Sequence, residues 1–515
     1  MNSSLSPEKS SNAAANRELS ILIASIFIIA SCGLLYELLI SSISSYLLGS
    51  SITHFSITIG LFMFFMGVGS YLSKFVESHL LERFIQVEIA VGFIGGLSAA
   101  ILYFAFSVTE LYYLVAILLI AAISIGIGFE IPLVTRLANR HQSVKDALAN
   151  MLAFDYLGAL VSSLVFPLVL LPYLGIMKTS FVVGMLNIGI AFVNIAEFRD
   201  SLRNPRAYFL TATCAMGVLF TGFIYSFSIA SFFERFIYDD EIVYSAQTPY
   251  QKLVMTKYKD DIRLFINGDL QFCSLDEYRY HEPLVHIPMG LASNHERVLV
   301  LGGGDGLVAR ELLKHPDIGT VTLVDLDAQM LDIAKHHSLL TTINERALLN
   351  PKVKLVVQDA YKFLESTSDR YNVVIIDLPD PNDLSLGKLY SKEFYQLLKR
   401  TLARDAVVVT QSTSPYLARV PFWSINHTLK DVFSHVLPYQ SYVPSFGLWG
   451  FNLASELPLD PATIRNLPPG RFLTPALLPS LFNFDNDTSD IPAEVNRLDN
   501  QILIQYYEQS WDRWN

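Results

Sequence analysis

The feature that most constrains the fold of this chain is a series of seven apolar stretches confined to residues 19–227. Each approaches or exceeds the roughly 20 residues that an α-helix needs to cross a bilayer. Of the 515 residues, 51% are hydrophobic, and the apolar ones crowd into this first part. We therefore predict a multi-pass α-helical membrane domain followed by a soluble half. The seven stretches are Leu19–Ile40, Phe55–Leu72, Phe84–Phe106, Leu111–Val134, Leu152–Leu174, Met177–Ile195 and Ala207–Phe227.

A polar N-terminal tail, Met1–Glu18, precedes an apolar stretch that is too long for the core of a signal peptide. We predict an uncleaved, multi-pass anchor in the cell membrane. Lysines and arginines concentrate in this tail and in the even-numbered loops, which places the N-terminus in the cytoplasm. Seven crossings would then put the C-terminal half outside. Because the chemistry argued below needs cytosolic metabolites, we expect that half in the cytoplasm and a helix count that differs by one.

Three carboxylates fall within or at the ends of the apolar stretches: Glu37, Glu130 and Asp155. Ionisable side chains inside a membrane are costly and are often functional. One hypothesis is a path for a cation. The other is that each carboxylate pairs with a neighbouring helix or lies near the interface, and the sequence leaves both open.

The soluble half is centred on a glycine-rich turn. Val298–Leu301 is typical of a short buried strand, Gly302–Gly304 and Asp305 follow it, and Leu307–Lys314 is predicted to be a helix. A strand, a glycine turn and a helix N-terminus form the nucleotide-binding start of a doubly wound α/β domain. Asp305 would repel a pyrophosphate, so the turn favours a cationic nucleoside, such as a sulfonium, over NAD.

Alternating residues before this turn predict a small β-meander over Ile242–Ile266, which ends at the turn-forming pair Asn267-Gly268. Gln251 begins its second strand. A helix is predicted over Asp276–Pro288, and it carries a polar and aromatic cluster. The members of this cluster are Tyr280, His281, Glu282 and His286.

Acidic side chains follow successive predicted strands of the α/β domain. Asp325 ends the second strand, about 20 residues after the glycines, where a ribose-binding acid belongs. Asp359, with Ala360, ends the third, where an adenine amino group can be held. Ligands of open parallel sheets bind at the carboxyl edge, so we expect these acids to converge there. The predicted strands are Thr320–Leu326, Val353–Gln358, Val373–Ile376 and Val407–Thr410.

The fourth strand ends in two acids, Asp377 and Asp380, within a loop stiffened by Pro379 and Pro381. With Asp305 they predict a pocket that attracts an ammonium group. A protonated amine is no nucleophile, so a carboxylate in this pocket is expected to act as general base. The net charge of −11 argues against nucleic acid as a partner, and the three cysteines form no disulfide framework or zinc motif.

Together these residues resemble the spermidine synthase (polyamine aminopropyltransferase) family over roughly Tyr244 to Gly450, and the apolar half resembles the membrane-spanning segment fused to some bacterial members. The order of the motifs is far more specific than any one of them. The motifs are YQ at Gln251, LFINGDLQ at Leu264–Gln271, DEYRYHE at Asp276–Glu282, LGGGDG at Leu301–Gly306, QDA at Gln358–Ala360, DLPDP at Asp377–Pro381, LYSKEFY at Leu389–Tyr395 and FGLWGF at Phe446–Phe451.

The resemblance implies transfer of an aminopropyl group from decarboxylated S-adenosylmethionine, as co-substrate, to putrescine or a similar amine, which yields spermidine and methylthioadenosine. No bound cofactor and no metal are implied. Asp380 matches the proton acceptor, and Asp305 and His281 match positions that hold the aminopropyl or polyamine part. Asp377 and Tyr280 match further pocket residues. The positions that match nucleoside contacts are Gln251, Asp325, Asp359 and Ala360.

Departures from the family pattern leave the acceptor amine open. Leu378-Pro379 separates the paired acids, Asn382-Asp383-Leu384 replaces a small Gly-Pro segment, and Asn267 stands where the family has Asp. Two other functions stay open from the residues alone. One is an S-adenosylmethionine-dependent methyltransferase, and the other is a polyamine transporter or sensor with an inactive synthase-like domain.

The predicted fold class is a multi-pass α-helical membrane domain, a small β-meander and a Rossmann-like α/β domain of the methyltransferase type. We expect small amine and nucleoside substrates, the lipid bilayer as a partner, and a homo-oligomer. The segment after residue 455 receives no functional assignment. The predicted domains are a polar tail at 1–18, a transmembrane domain at 19–228, a β-strand subdomain at 242–290, an aminopropyltransferase domain at 291–455 and a C-terminal extension at 456–515.

Overall fold

The computed structural model describes residues 7–48, 51–109, 111–139, 143–238, 240–465 and 467–511. The chain divides into two compact units, one reaching to Glu241 and the other beginning at Ile242. The first unit is helical and the second is an α/β unit. Part of the predicted polar tail, residues 1–6, lies outside the described residues.

The helical unit contains every apolar stretch that the sequence analysis singled out. Its first helix begins at Pro7, well inside the stretch predicted as a polar tail. The helices are α1 (Pro7–Leu48), α2 (Ser51–Leu72), α3 (Leu80–Val108), α4 (Tyr112–Ala138), α5 (Val144–Val165), α6 (Leu171–Glu197), α7 (Pro205–Ile224) and α8 (Ser226–Ile237).

Within the described residues, six continuous helical segments are long and apolar enough to cross a membrane, where the sequence predicted about seven. The difference lies in Val144–Glu197, a 54-residue segment that contains two of the predicted stretches. A π-helical turn, Phe166–Leu170, joins α5 to α6. The backbone leaves the helical region at Gly175, where φ is 69°. The two predicted stretches therefore meet at a break inside one continuous segment.

Small residues let the helices of this unit approach closely. A Cβ on Gly69 would overlap the carbonyl of Ile125, and a Cβ on Gly128 would overlap the carbonyl of Met66. Both contacts join α2 to α4. Such close approach at glycine is typical of helix packing in membranes, where van der Waals contact replaces the hydrophobic effect.

Two carboxyls are buried in the core of the helical unit. Glu130, which the sequence analysis singled out, lies within electrostatic range of Glu88 from α3, which it did not. Among the described residues, none of these four carboxyl oxygens has a hydrogen-bond partner. Asp155 is half-buried within electrostatic range of Glu130, and Glu37 is half-buried. Glu88 and Glu130 are therefore two buried acids that neighbour each other in the core of the helical unit.

The α/β unit begins with a four-stranded sheet in the order β1-β2-β3-β4. Three of its strands match the predicted meander, and β4 was not predicted. Asn267 (φ 52°) and Gly268 (φ 95°) turn the chain between β3 and β4, which confirms the turn expected at this pair. The strands are β1 (Glu241–Gln247), β2 (Lys252–Tyr258), β3 (Asp261–Ile266) and β4 (Asp269–Cys273).

A seven-stranded sheet in the order β10-β11-β9-β8-β5-β6-β7 forms the rest of the unit. The five predicted strands are confirmed and run parallel to one another, whereas the unpredicted β10 and β11 add an antiparallel edge. The strands are β5 (Arg297–Gly302), β6 (Thr320–Asp325), β7 (Val353–Val357), β8 (Tyr371–Asp377), β9 (Leu402–Gln411), β10 (His435–Val443) and β11 (Gly447–Ser455).

Helices cover both faces of this sheet. Along β5, Val298 and Val300 belong to one buried cluster, while Leu299 and Leu301 belong to the cluster on the opposite face. This alternation is the Rossmann-type arrangement. The helices are α9 (Tyr278–Leu291), α10 (Leu307–Leu312), α11 (Ala328–His336), α12 (Ser338–Ile343), α13 (Ala360–Ser366), α14 (Leu384–Gly387), α15 (Lys392–Lys399), α16 (Arg419–Lys430), α17 (Leu478–Leu481) and α18 (Ile502–Trp511).

Candidate active site

The glycine-rich turn brings the ends of β5 and β8 together. Gly302 and Gly303 have φ angles of 83° and 65°, which L side chains rarely adopt. The Gly303 amide donates to the backbone carbonyl of Asp377 (3.1 Å), and a Cβ on Gly302 would overlap that same oxygen. The glycines therefore place Asp377 directly beside the turn.

Asp305 lies half-buried in this turn. The amide of Leu307 donates to its Oδ1 (2.9 Å), and the Asn344 side chain donates to its backbone carbonyl (2.8 Å). Burial raises the pKa of Asp305, while the nearby His281 opposes that shift. The carboxylate is fixed at the start of α10, at the carboxyl edge of the sheet where it was predicted.

Asp325 and Gln251 lie near the end of β6, and Asp327 links them. The Asp327 amide donates to Asp325 Oδ1 (2.8 Å), and the Gln251 side chain donates to Asp327 Oδ2 (3.0 Å). A Cβ on Gly304 would overlap the Asp325 carboxylate, so the turn and this acid are in immediate contact. Burial raises the pKa of Asp325 to about 6. The sequence analysis did not anticipate Asp327.

Asp359 caps α13, and both of its carboxylate oxygens accept hydrogen bonds, which the sequence analysis did not anticipate. The Lys362 amide donates to its Oδ1 (3.0 Å), and the Lys388 ammonium donates to its Oδ2 (3.1 Å). Burial acts against the charged form, but these two donors hold the pKa of Asp359 below its usual value. Ala360 is buried directly behind it. Contacts of Asp359 and Ala360 with an adenine remain a prediction.

Asp377 ends β8 and contacts α9. The buried Tyr280 hydroxyl donates to Asp377 Oδ1 (2.6 Å). Burial raises the pKa of Asp377 to about 6, with His281 lowering it and Asp305 raising it further. Tyr280, His281, Asp305 and Asp377, which lie far apart in the sequence, therefore form one group of interacting side chains.

His281 is held by a chain of charged side chains, Glu277, Arg310 and Glu311. Its Nδ1 lies 2.8 Å from a Glu277 carboxylate oxygen, and Arg310 donates to the same oxygen (2.9 Å). Glu311 extends the chain by accepting from Arg310 and Lys314. Burial would lower the pKa of His281, but Glu277 raises it overall. The protonated form of His281 is therefore favoured beside Asp305 and Asp377.

Asp380 is held by three donors from two elements. The Gln411 amide donates to its Oδ1 (3.3 Å), while the Thr413 and Tyr507 hydroxyls donate to its Oδ2 (3.1 and 3.0 Å). Burial raises the pKa of Asp380 to about 6, although each of these donors lowers it. The residue as a whole is half-buried.

Several contributors escaped the sequence analysis. Gln411 and Thr413 lie at the end of β9, so the rule that sites form at the carboxyl edge could have found them. Glu277 precedes the predicted cluster by three positions. Tyr507 comes from the C-terminal segment, where no local pattern marks it. In the described part of the chain, no three His, Cys, Asp or Glu side chains are grouped as metal ligands.

The fold and this site define a class: a Rossmann-type α/β enzyme domain with an acidic cleft at the carboxyl edge of its sheet. The spermine/spermidine synthase domain family matches residues 277–462. A polyamine aminopropyltransferase of Leptospira interrogans is 43% identical over 96% of this chain and 99% of its own. Polyamine aminopropyltransferase 2 of Ralstonia nicotianae is 44% identical over the same shares.

A crystal structure of spermidine synthase in complex with the transition-state analogue AdoDATO aligns with 48% of this chain and 86% of its own, at 25% identity and a TM-score of 0.45. The family assignment rests on the full-length relatives instead. The chain belongs to the spermine/spermidine synthase family.

Proposed function

We propose that this protein is a polyamine aminopropyltransferase that moves an aminopropyl group from decarboxylated S-adenosylmethionine to putrescine or a similar amine. Spermidine and methylthioadenosine are the products. The observation that carries the proposal is that Asp305 and Asp377 interact beside the glycine turn, while Tyr280 lies within electrostatic range of both Asp377 and Asp380, in a chain from this family. Three carboxylates in one cleft suit two cationic reactants.

In the reaction, the amine lone pair attacks the methylene carbon bonded to the sulfonium. A carbon–nitrogen bond forms, the carbon–sulfur bond breaks, and its electrons return to sulfur as a neutral thioether. The attacking ammonium must first lose a proton, and a carboxylate that accepts it acts as general base. The sulfonium charge disappears in this step, so the acidic cleft holds the reactants more strongly than the thioether product.

For the nucleoside, we propose that Asp325 and Gln251 hold the ribose end and that Asp359 and Ala360 border the adenine. The support is their position along the carboxyl ends of β6 and β7, next to the glycine turn. We assign Asp305 and His281 to the aminopropyl part. The His281 cation limits the mutual repulsion of Asp305 and Asp377, which lets both stay charged in a partly buried cleft.

Asp380 is the proposed base. Asp380→Asn is expected to lower kcat by about 10²- to 10⁴-fold, because a positioned base contributes that much. The measurement is methylthioadenosine release that depends on added putrescine. Asp383→Asn is the matched control: Asp383 caps α14 in the same loop, and asparagine is an equally good cap. Unchanged turnover in Asp380→Asn excludes it as the base.

Asp377 is a second candidate for the base because of one observation. Tyr280 reaches only its Oδ1, and among the described residues no hydrogen bond is formed to its Oδ2. A base lost by mutation lowers kcat, whereas a lost binding anion mainly raises the KM for putrescine. If Asp377→Asn loses kcat and Asp380→Asn mainly raises KM, the proton goes to Asp377.

The donor distinguishes this reaction from methyl transfer. S-adenosylmethionine carries a carboxylate that Asp305 would repel, whereas the decarboxylated donor presents only a cationic chain. We expect calorimetric titration to show tighter binding of the decarboxylated donor than of S-adenosylmethionine. Asp305→Asn should reduce this difference in affinity. Equal binding of both donors by the unmodified protein would favour the methyltransferase hypothesis.

For the helical unit we propose a lipid-embedded, multi-pass domain corresponding to residues 19–228. Large apolar side chains stand exposed on its helices, and a surface of this kind marks contact with a membrane or a partner. The expected homo-oligomer stays a prediction for native mass spectrometry. The exposed side chains include Met63, Phe64, Tyr113, Leu168, Tyr173, Leu210 and Phe220.

We place the α/β unit in the cytoplasm because its substrates are cytosolic metabolites. The positively charged loops place the N-terminus there as well, so an even number of crossings would satisfy both. Protease treatment of intact spheroplasts is expected to leave the C-terminal half uncut, and lysed spheroplasts to expose it. Cleavage in intact spheroplasts would place this half outside.

Transport of a polyamine is a second candidate activity, favoured by the buried Glu88 and Glu130 pair, because intramembrane carboxylates often mark cation pathways. Labelled polyamine should then enter proteoliposomes that contain the protein, and Glu130→Gln should abolish uptake. Glu37→Gln tests another of the three carboxylates that the sequence analysis singled out. Catalytic turnover without uptake removes this candidate and leaves the transferase.

A further inference from the structure

The C-terminal helix α18 reaches the cleft, although the sequence analysis assigned no function to this segment. The Tyr507 hydroxyl donates to Asp380 Oδ2 (3.0 Å) across 127 residues of sequence. Tyr507 is half-buried, and the Asp269 carboxylate of β4 lies within electrostatic range of it. A residue close to the C-terminus thus contacts one of the two paired acids directly.

The segment before α18 is fixed to the body of the α/β unit by hydrogen bonds to α16. The Trp423 indole donates to the Thr488 carbonyl (2.9 Å), and the Ser424 hydroxyl donates to the Glu494 carbonyl (2.7 Å). The Asn496 amide donates to the Thr428 hydroxyl (2.9 Å). This path holds the chain against one face of the unit as far as the start of α18.

The same segment also binds the loop that carries Asp380. The Asn496 side chain donates to the Gly387 carbonyl (3.0 Å), and its backbone carbonyl accepts from the Lys392 amide (2.9 Å). A Cβ on Gly387 would lie 2.9 Å from the Ile504 side chain, so α14 and α18 are in close contact. Leu503 is fully buried in the core cluster on this face. The helix and the Asp380 loop therefore form one packed assembly.

Tyr507 serves here as a donor. Burial, together with Asp380 and Asp269, raises the pKa of Tyr507 well above its usual value, so its hydroxyl stays protonated. Asn382 holds Asp269 in turn, by donating to its Oδ2 (3.0 Å). The ionisable groups around Asp380 are Asp269 from β4, Tyr280 from α9, Tyr390 from the turn after α14 and Tyr507 from α18.

We propose that the C-terminal helix is part of the active site and that Tyr507 is a positioning residue that holds Asp380 as a carboxylate at the amine end of the cleft. This inference rests on the proposed function. It adds an element outside the matched synthase domain, which ends at residue 462. Tyr507 acts on the amine through Asp380, whichever of the paired acids takes the proton.

The test is the pH profile of kcat/KM for putrescine in the full-length Tyr507→Phe protein. Phenylalanine keeps the packing but removes the donor that stabilises ionised Asp380, so the pKa of Asp380 rises. The acidic limb of the profile is expected to move to higher pH by about one unit, since a hydrogen bond to a charged group has about this effect. Tyr506→Phe, the same change one position away on α18, should leave the profile unmoved.

A purely structural role for Tyr507 would lower the unfolding temperature without moving the acidic limb. That result, or a profile identical to the unmodified protein, overturns the proposal. Calorimetric binding of putrescine in the presence of methylthioadenosine gives a readout that does not need turnover: Tyr507→Phe should bind several-fold more weakly at pH 6.5, and Tyr506→Phe should not. No product from the unmodified protein would refute the proposed function instead, and the binding measurement would still decide the role of Tyr507.

Discussion

At the scale of single residues, two requirements conflict at the half-buried acids of the cleft. They must be charged to bind cations and to accept a proton, yet burial favours their neutral forms. The structure meets this conflict with donors to Asp380 and with His281, whose protonated form is favoured, near Asp377. The balance leaves both acids with a pKa of about 6, above the usual value for an aspartate.

The rate should therefore depend on pH in the acidic range. A base with a pKa of about 6 is protonated and inactive below that pH, so kcat/KM is expected to rise as the pH passes from 5 to 7. The measurement is the initial rate of methylthioadenosine release at constant ionic strength. A flat profile over this range would exclude both Asp377 and Asp380 as the titrating base.

Glu277 tests the cation beneath the cleft. Glu277→Gln removes the carboxylate that raises the pKa of His281, so His281 loses its proton at lower pH. Without that positive charge, the pKa of Asp377 rises, and the acidic limb of kcat/KM moves to higher pH. The exposed Glu296→Gln is the control and should keep the original profile.

At the scale of elements, the decisive feature is the contact between the end of β5 and the end of β8. Hydrogen bonding between parallel strands sets these ends side by side, and glycine at the turn lets the backbones touch. The acidic residues that follow the two strands are therefore neighbours as a direct result of the strand pairing. The C-terminal helix adds a second element-scale contact, because α18 packs on the loop that leaves β8.

Gly302→Ala is expected to destabilise the α/β unit far more than an ordinary glycine substitution. Alanine would be strained at φ 83° and its Cβ would overlap the Asp377 carbonyl. Gly447→Ala is the matched control, since Gly447 has nearly the same φ angle, 82°. A Cβ at this position would lie 4.0 Å from the nearest neighbouring atom. The control should lose only about 1–2 kcal/mol in denaturant unfolding. Similar losses in both proteins would mean that the two strand ends separate easily.

At the scale of the whole molecule, the two units differ in the surfaces they present. The helical unit exposes many large apolar side chains, whereas the α/β unit has its own buried core on both faces of a sheet. We expect the full-length protein to remain in the membrane pellet after alkaline carbonate extraction. A chain beginning at Ile242 should appear in the supernatant and form methylthioadenosine. Release of the full-length protein by carbonate would contradict an embedded helical unit.

Much of this protein follows from local sequence. The long apolar stretches allow little but helices, and the four apolar residues Val298–Leu301 followed by three glycines allow little but a strand and a sharp turn. Because parallel strands end at one edge, the positions of Asp305, Asp325 and Asp377 follow from the order of strands alone. These features depend on residues close together in the chain, where periodicity and backbone freedom act directly.

Contacts between distant segments could be found only in the tertiary structure. Tyr507 on Asp380, Glu88 beside Glu130, and the antiparallel edge formed by β10 and β11 leave no periodic signal in the chain. The physical reason is that these contacts form when folded helices and strands pack against one another. The residues next to each partner in the sequence therefore do not indicate which distant residue it contacts.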